Sequence, residues 1–173
     1  AADFRDGSAE RVVEGLGIDP PTVVSDPVSI LGFISRARIF DRHIARFLAA
    51  NPDGIVLDLG AGLSTACERQ PVAAAQWICA DLPAVIALRR RIIPPAAHCR
   101  LVAASLDGAD WLEAAALPDA PTLVIAEGLM PYLQADAITA LLSTLADGLE
   151  GRPCDLVYDT FSSLMVGTAR YHP

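Results

Sequence analysis

The 173-residue sequence contains no lysine, and all thirteen of its basic side chains are arginines. This absence excludes mechanisms that need a lysine amine: a Schiff base, a pyridoxal phosphate anchor, or a phosphate-binding loop ending in Gly-Lys-Ser/Thr. Acidic side chains outnumber these arginines, so the formal net charge is −8. Nucleic-acid binders usually carry a basic surface, so we expect no nucleic-acid partner.

Residues that could form a metal centre are few and scattered. The four cysteines, Cys67, Cys79, Cys99 and Cys154, form no Cys-x-x-Cys pair, and the three histidines form no His-Glu-x-x-His motif. We therefore predict no metal site, and four buried or half-buried cysteines in a reducing cytoplasm. A hydrolase of the Gly-x-Ser-x-Gly type is disfavoured because that motif is absent.

Long apolar runs are missing as well. No uncharged run reaches the roughly 20 residues that a membrane helix needs, so we expect no membrane partner. Charged residues, including Asp3, Arg5 and Asp6, interrupt the start of the sequence, and we expect no signal peptide there.

The first 50 residues indicate helices. A short helix is expected near Ala9–Leu16. Ser25 or Asp26 can cap a longer helix, whose apolar residues recur at helical spacing until about Ala50 with a possible bend at Gly32. We predict that residues 1–50 form an N-terminal helical cap.

Residues 51–173 alternate between short apolar runs and helical segments. The runs are Ile55–Gly60, Trp77–Leu82, Arg100–Leu106, Thr122–Leu129 and Asp155–Phe161, and the helices are expected near Thr65–Gln70, Ala84–Ile93, Ala109–Ala116 and Ala135–Leu149. This alternation is typical of βαβ units, so we predict an α/β fold with a doubly wound, mainly parallel sheet. Without an internal repeat or linker, residues 1–173 are expected to form a single domain.

The turn after the first predicted strand is the most informative segment. Asp58 precedes a Gly60-Ala61-Gly62 turn, in which the glycines allow a tight turn and close approach of a ligand to the backbone. Asp81 ends the next predicted strand, 21 residues after Gly60, where an acid can accept hydrogen bonds from both ribose hydroxyls. Together they predict a cofactor that contains a nucleoside.

Two cofactors remain compatible with this pattern. The dinucleotide motif needs a third glycine at position 65, where the chain has Thr65, and it usually has an apolar residue in place of Asp58. An acid followed by x-Gly-x-Gly resembles instead the first motif of S-adenosylmethionine-dependent methyltransferases. An NAD(P)-dependent oxidoreductase stays as the alternative.

Three stretches resemble the leucine carboxyl methyltransferase family, within it most closely the bacterial polyketide O-methyltransferases of the tetracenomycin type. They are Val56-Leu-Asp-Leu-Gly-Ala-Gly-Leu63, Ala80-Asp-Leu-Pro-Ala-Val-Ile-Ala-Leu-Arg-Arg-Arg91 and Ile125-Ala-Glu-Gly-Leu-Met-Pro-Tyr-Leu133. The resemblance implies a class I methyltransferase fold, which is Rossmann-like, and S-adenosylmethionine as cofactor. It also implies in-line methyl transfer to a carboxylate or hydroxyl of a small, polyketide-like molecule. The same resemblance implies that the helical cap of residues 1–50 is the acceptor-side region.

The resemblance further implies which residues bind the cofactor. Arg36, with Arg38 as the alternative, would meet the methionine carboxylate, and Asp81 the ribose. Ser105 and Leu106 would flank the adenine, and Glu127 would attract the cationic donor or bind its amino group. The full predicted set is Arg36, Asp58, Gly60, Ala61, Gly62, Asp81, Leu82, Ser105, Leu106 and Glu127.

Several features depart from the family or stay open. The family often continues the glycine turn as Leu-Asp-Thr-Arg, whereas this chain reads Leu63-Ser-Thr-Ala66, which puts the local support of the turn in doubt and allows a catalytically degenerate binding protein. Arg89-Arg90-Arg91 is interpreted as a solvated helix face.

The catalytic residues and the sheet's last strands also stay open. Tyr132, His43 and His172 could serve as a base, but none is assigned. The family implies a final antiparallel strand pair, and we expect this chain, which stops at Pro173, either to lack that pair or to be part of a longer sequence.

Overall fold

The computed structural model describes residues 5–23, 26–70 and 76–161. Three helices come first: α1 (Gly7–Leu16), α2 (Pro20–Val23) and α3 (Pro27–Ala50). The chain then continues through β1 (Ile55–Leu59), α4 (Ala66–Arg69), β2 (Gln76–Asp81), α5 (Pro83–Ile92), β3 (Cys99–Ala103), α6 (Asp110–Ala115), β4 (Thr122–Ala126), a 3₁₀ turn (Met130–Tyr132), α7 (Ala135–Gly148) and β5 (Cys154–Tyr158).

The five strands form one parallel sheet in the order β3-β2-β1-β4-β5. The strand order runs outward from β1 in both directions, which is the arrangement of a doubly wound sheet. Every residue of β1 and of β4 is buried, as a sheet covered on both faces requires. The predicted doubly wound, Rossmann-like α/β fold is thus confirmed.

Alternating strand residues build a core on each face of the sheet. On one face, Leu57 and Val124 pack with Trp111 of α6 and Leu141 of α7. On the other face, the strand residues Val56, Trp77, Cys79, Leu123 and Ile125 pack with Phe40, Ile44, Phe47 and Leu48 of α3. The long N-terminal helix is therefore an integral layer of the fold, and it brings its first half to the sheet's carboxyl edge.

Aspartate side chains cap both of the longer N-terminal helices, and only the cap of α3 was predicted from the sequence. Asp26 caps α3, because its Oδ2 accepts a hydrogen bond of 2.8 Å from the Ser29 N–H. Asp6 caps α1 in the same way, with Oδ1 accepting from the N–H groups of Ser8 and Ala9 at 3.1 and 2.8 Å. The start of α1 is thus two residues earlier than the helix predicted from Ala9.

Three predicted strands were too long at their carboxyl ends. β3 ends at Ala103 rather than Leu106, β4 at Ala126 rather than Leu129, and β5 at Tyr158 rather than Phe161. Gly128 has φ +67°, which a strand cannot accommodate, and Ser105 bonds locally to Asp107 instead of to a neighbouring strand. The helix predicted over Thr65–Gln70 is also shorter, since α4 is a single turn.

None of the helices within the described ranges combines the length and the hydropathy needed to cross a bilayer.

Candidate functional site

The glycine turn follows β1 and requires glycine at both positions. Gly60 and Gly62 have φ angles of +63° and +50°, in the left-handed region that other residues rarely adopt. A Cβ on Gly60 would also lie 2.9 Å from Cδ1 of Leu129. A Cβ on Gly62 would meet only the Gly60 carbonyl oxygen at 3.9 Å, so the backbone at Gly62 is open to a ligand.

Asp81 at the end of β2 contacts this turn directly. Its Oδ2 accepts a hydrogen bond of 2.7 Å from the Gly62 N–H, and its Oδ1 accepts one of 2.7 Å from the Leu82 N–H. The spacing of 21 residues that predicted a shared site therefore places acid and turn side by side. Leu82 is 52% exposed next to this carboxylate, where it can cover a flat ligand.

Arg89 corrects the prediction of a solvated arginine run. Arg90 and Arg91 are exposed, but Arg89 is only 1% exposed and lies under the glycine turn. Its Nη1 donates to the carbonyl oxygens of Gly62 and Ser64 at 3.1 and 2.6 Å. The prediction of a solvated run rested on the charge of the three arginines and did not consider the helical spacing that places Arg89 on the buried face of α5.

The helical spacing could have predicted that Arg89 is buried. Ile86, Arg89 and Ile93 recur at three- and four-residue intervals and are all buried. The same helix face that packs against the sheet thus carries the guanidinium to the turn. Its Nη2 lies 3.7 Å from Oε1 of Glu68 in α4, which forms a buried ion pair beside the site.

Asp58 is a buried carboxyl group at the base of the site. It is 3% exposed, and burial raises its pKa to about 7. Arg89 opposes this increase, whereas the negative charge of Glu127 adds to it. Two of the three acids that the sequence predicted for the site, Asp58 and Glu127, therefore influence each other in the fold.

Arg36, Glu127 and Asp159 form an ion-paired group at the carboxyl edge of β4 and β5. Arg36 Nε donates to Oε1 of Glu127 at 3.0 Å, and Nη1 donates to Oδ2 of Asp159 at 3.3 Å. Of the two candidate arginines, the structure brings Arg36 to the site, while Arg38 is exposed on another side of α3. Asp159 was missed because no local pattern distinguishes it.

The predicted adenine pair lies in the loop that follows β3. Ser105 is exposed, and its hydroxyl donates to Oδ2 of Asp107 at 2.9 Å. Leu106 is half-buried and packs against the core that includes Trp111. The loop adjoins Asp81, since the Ala104 N–H donates to the Asp81 carbonyl oxygen at 3.0 Å.

A cavity of about 420 Å³ lies between the glycine turn and the pair formed by Arg36 and Glu127. Its volume is within the range of small-molecule sites. The predicted cofactor residues that line it are Arg36, Asp58, Gly60, Ala61, Gly62 and Glu127. Asp81, Leu82, Ser105 and Leu106 lie outside its lining and continue along the same edge of the sheet, over β2 and β3.

A second network, also missed from sequence, ties α1 to this cavity. Thr65 Oγ1 and Arg69 Nη1 both donate to Oδ2 of Asp6, at 2.5 and 2.9 Å, and Arg69 Nη2 donates to Asp41 Oδ1 at 2.9 Å. Burial would raise the pKa of Asp6, but these hydrogen bonds outweigh it and lower that pKa. One carboxylate thus caps α1 and anchors the start of α4.

The four cysteines lie outside the lining of the cavity. Cys67 and Cys79 are buried and Cys99 is half-buried, as expected, but Cys154 is exposed on the edge strand β5, which corrects the prediction for that residue. In the ranges that the structure describes, no group of three or more His, Cys, Asp or Glu side chains is arranged to hold a metal ion.

The two described candidate bases are exposed. His43 lies on the outer face of α3, and Tyr132 is 77% exposed after β4. His172 lies outside the described residues.

The strand order of the parallel sheet reverses at β1, where the glycine turn follows β1 and Asp81 ends β2. This arrangement defines a Rossmann-like fold with a cofactor cleft at the carboxyl edge of the sheet. Residues 5–146 match the family model of leucine carboxyl methyltransferases. The chain belongs to that family.

Curated relatives agree with this assignment. The tetracenomycin polyketide synthesis O-methyltransferase TcmP of Streptomyces glaucescens is 36% identical over 130 residues, which cover 75% of this chain and 48% of the relative. A putative S-adenosyl-L-methionine-dependent methyltransferase of Mycolicibacterium vanbaalenii is 30% identical over 169 residues, 91% of this chain and 56% of the relative.

A third relative, the S-adenosyl-L-methionine-dependent methyltransferase dpfgK of Gibberella zeae, is 33% identical over 121 residues, 65% of this chain and 41% of the relative. The chain thus spans about half the length of the curated relatives it matches. All three are named as methyltransferases and two of them as S-adenosyl-L-methionine-dependent, which supports the expected cofactor, S-adenosylmethionine, over the NAD(P) alternative.

Proposed function

We propose that this protein is an S-adenosylmethionine-dependent O-methyltransferase that acts on a carboxylate or hydroxyl group of a small molecule. The observation that carries the proposal is the arrangement of charge along the carboxyl edge of the sheet: a carboxylate, Asp81, bonded to the glycine turn, and an arginine–carboxylate pair, Arg36 and Glu127, at the end of β4. The donor has matching groups, a ribose diol at one end and a zwitterionic amino acid at the other.

The glycine turn fits the middle of this donor. The open space at Gly62 lets a ligand approach the backbone, which a side chain at that position would obstruct. Asp81 would accept hydrogen bonds from the ribose hydroxyls, with its existing bond to the Gly62 N–H keeping the carboxylate oriented. Leu82, Ser105 and Leu106 would then lie along the adenine.

Arg36 and Glu127 fit the amino-acid end. A guanidinium forms strong, directional hydrogen bonds with a carboxylate, so Arg36 would bind the donor carboxylate. Glu127, whose side chain is 16% exposed, would bind the amino group or attract the sulfonium charge. Asp58 lies below them in the cavity lining, where it would add a further acid when ionised.

The reaction requires alignment more than acid–base chemistry. Bound S-adenosylmethionine would supply a methyl group that is already activated by the sulfonium. The residues of this chain would hold the donor, orient the acceptor oxygen in line with the methyl group and exclude water. A carboxylate acceptor is ionised at neutral pH and needs no base, whereas a phenol would benefit from one.

Phe33 of α3 lines the cavity and is 50% exposed. An exposed aromatic side chain at the cavity would suit an apolar acceptor. A polyketide-like acceptor is the further proposal, and it rests on the likeness to the Streptomyces enzyme. A panel of aromatic carboxylates and phenols would distinguish the acceptor classes.

Titration calorimetry with S-adenosylhomocysteine tests the cofactor assignment. We expect the wild-type protein to bind it and Asp81→Ala to abolish the binding, because the ribose loses its acceptor and the Gly62 N–H its partner. Asp53→Ala, at an exposed position in the turn before β1, is the matched control and should bind normally. Unchanged affinity in Asp81→Ala would contradict the assignment, as would tight binding of NAD(P) instead.

A further inference from the structure

The register of the sheet places Asp159 beside Glu127. β4 and β5 are neighbouring parallel strands, and their last residues, Ala126 and Tyr158, are register partners. Glu127 directly follows one and Asp159 the other. The two carboxylates therefore emerge next to each other from the carboxyl edge of the sheet, on the side that faces α3.

The carboxylate of Asp159 bonds to two different parts of the cleft. Its Oδ1 accepts a hydrogen bond of 2.5 Å from the Gly128 N–H, in the turn that follows Glu127. Its Oδ2 accepts from Nη1 of Arg36 at 3.3 Å. With its side chain 23% exposed, Asp159 is sheltered enough for these charge-assisted bonds to matter.

Two of the three guanidinium nitrogens of Arg36 are bonded to these acids. Nε and Nη1 donate to Glu127 and Asp159, while Nη2 has no acceptor within the described part of the chain. A Cβ on Gly128 would lie 3.4 Å from Nη2, so the glycine lets the guanidinium lie flat against the turn. The orientation of the guanidinium is therefore determined by both carboxylates and leaves Nη2 available.

We propose that Asp159 is a positioning residue for the amino-acid end of the donor. It acts through Arg36, whose Nη2 it directs towards the donor carboxylate, and through the turn that carries Glu127. This inference rests on the proposed function, because it assumes that Arg36 binds the donor. It predicts that Asp159 contributes to the binding of ligands with the amino-acid group and not to the binding of the nucleoside alone.

Two ligands separate these contributions. S-adenosylhomocysteine carries the amino-acid group, and 5′-methylthioadenosine has the same nucleoside thioether without it. We expect Asp159→Asn to weaken S-adenosylhomocysteine about threefold to tenfold in calorimetry and to leave methylthioadenosine unchanged, since one partly exposed ion pair is lost. Asp155→Asn, at an exposed position on β5, is the matched control. Arg36→Lys is the positive control.

Each outcome decides the matter. A selective loss for S-adenosylhomocysteine, absent in Asp155→Asn, supports the proposal. An equal loss for both ligands would show a general structural role and overturn it, as would unchanged affinity for both. If the wild-type protein binds neither ligand, the proposed function itself fails, and the role of Asp159 fails with it.

Discussion

The buried guanidinium of Arg89 should contribute more to stability than any other charge at the site. In Arg89→Met the aliphatic part of the side chain is largely kept, and the donor of the bonds to the Gly62 and Ser64 carbonyl oxygens is removed. Glu68 then loses its ionic partner at 3.7 Å, although both of its carboxylate oxygens are buried and lack hydrogen-bond partners within the described residues.

The expected loss follows from this uncompensated charge. Removing one partner of a buried ion pair costs about 3–5 kcal/mol, a large part of the roughly 5–15 kcal/mol by which domains are stable. The neighbouring change Arg90→Met is at an exposed position, and it should alter stability by no more than about 0.5 kcal/mol. The free energy of unfolding is measured by urea denaturation followed by circular dichroism.

A double variant tests the cause as well as the size. In Arg89→Met with Glu68→Gln, position 68 no longer carries an unpaired buried carboxylate, so the double variant should be more stable than the sum of the two single losses by about 1 kcal/mol or more. Additive losses would show that the ion pair is not the origin of the effect. A loss for Arg89→Met as small as that for Arg90→Met would refute the reasoning altogether.

Two further predictions concern the base of the cleft and its turn. Because burial raises the pKa of Asp58 to about 7, the folded protein keeps a proton that the unfolded chain releases near its ordinary pKa. The free energy of unfolding should therefore fall as pH rises from about 4 to about 7, and urea titrations should show that Asp58→Asn lacks this part of the fall; equal slopes would contradict it. Gly60→Ala and Gly62→Ala both strain a left-handed backbone, but only the former meets Leu129, so urea denaturation should show Gly60→Ala to be less stable by about 1 kcal/mol or more. Equal losses would indicate that the contact with Leu129 relaxes freely.

Local patterns predicted the layers of the fold but not the ends of its strands. Apolar runs placed all five strands, because a sheet covered on both faces needs continuous apolar sequence. The ends depend on single residues instead. Leu129 is apolar and extended the predicted β4, yet the left-handed Gly128 before it had already turned the chain. Ser105 extended β3 in the same way, although its hydroxyl bonds within the loop.

Site residues at the ends of strands could be predicted from the sequence. Site contacts between residues that are distant in sequence could not. Asp81 and Gly62 follow neighbouring strands, so a spacing rule was sufficient to bring them together. Asp159 is 123 positions from Arg36, and Asp6 is 59 from Thr65. No period or motif encodes such pairs, because they depend on how α1 and α3 pack against the sheet.

The altered glycine turn is supported from other elements of the fold. The family's usual acid and arginine after the turn are replaced by Ser64 and Ala66, and this put the support of the turn in doubt. In the structure, Arg89 of α5 donates to the carbonyl oxygens of Gly62 and Ser64, and Asp81 accepts from the Gly62 N–H. Both the carbonyl and the amide of Gly62 are thus bonded to side chains that two neighbouring elements hold in place. Loss of the local charges therefore does not by itself imply a disordered turn or a degenerate cofactor site.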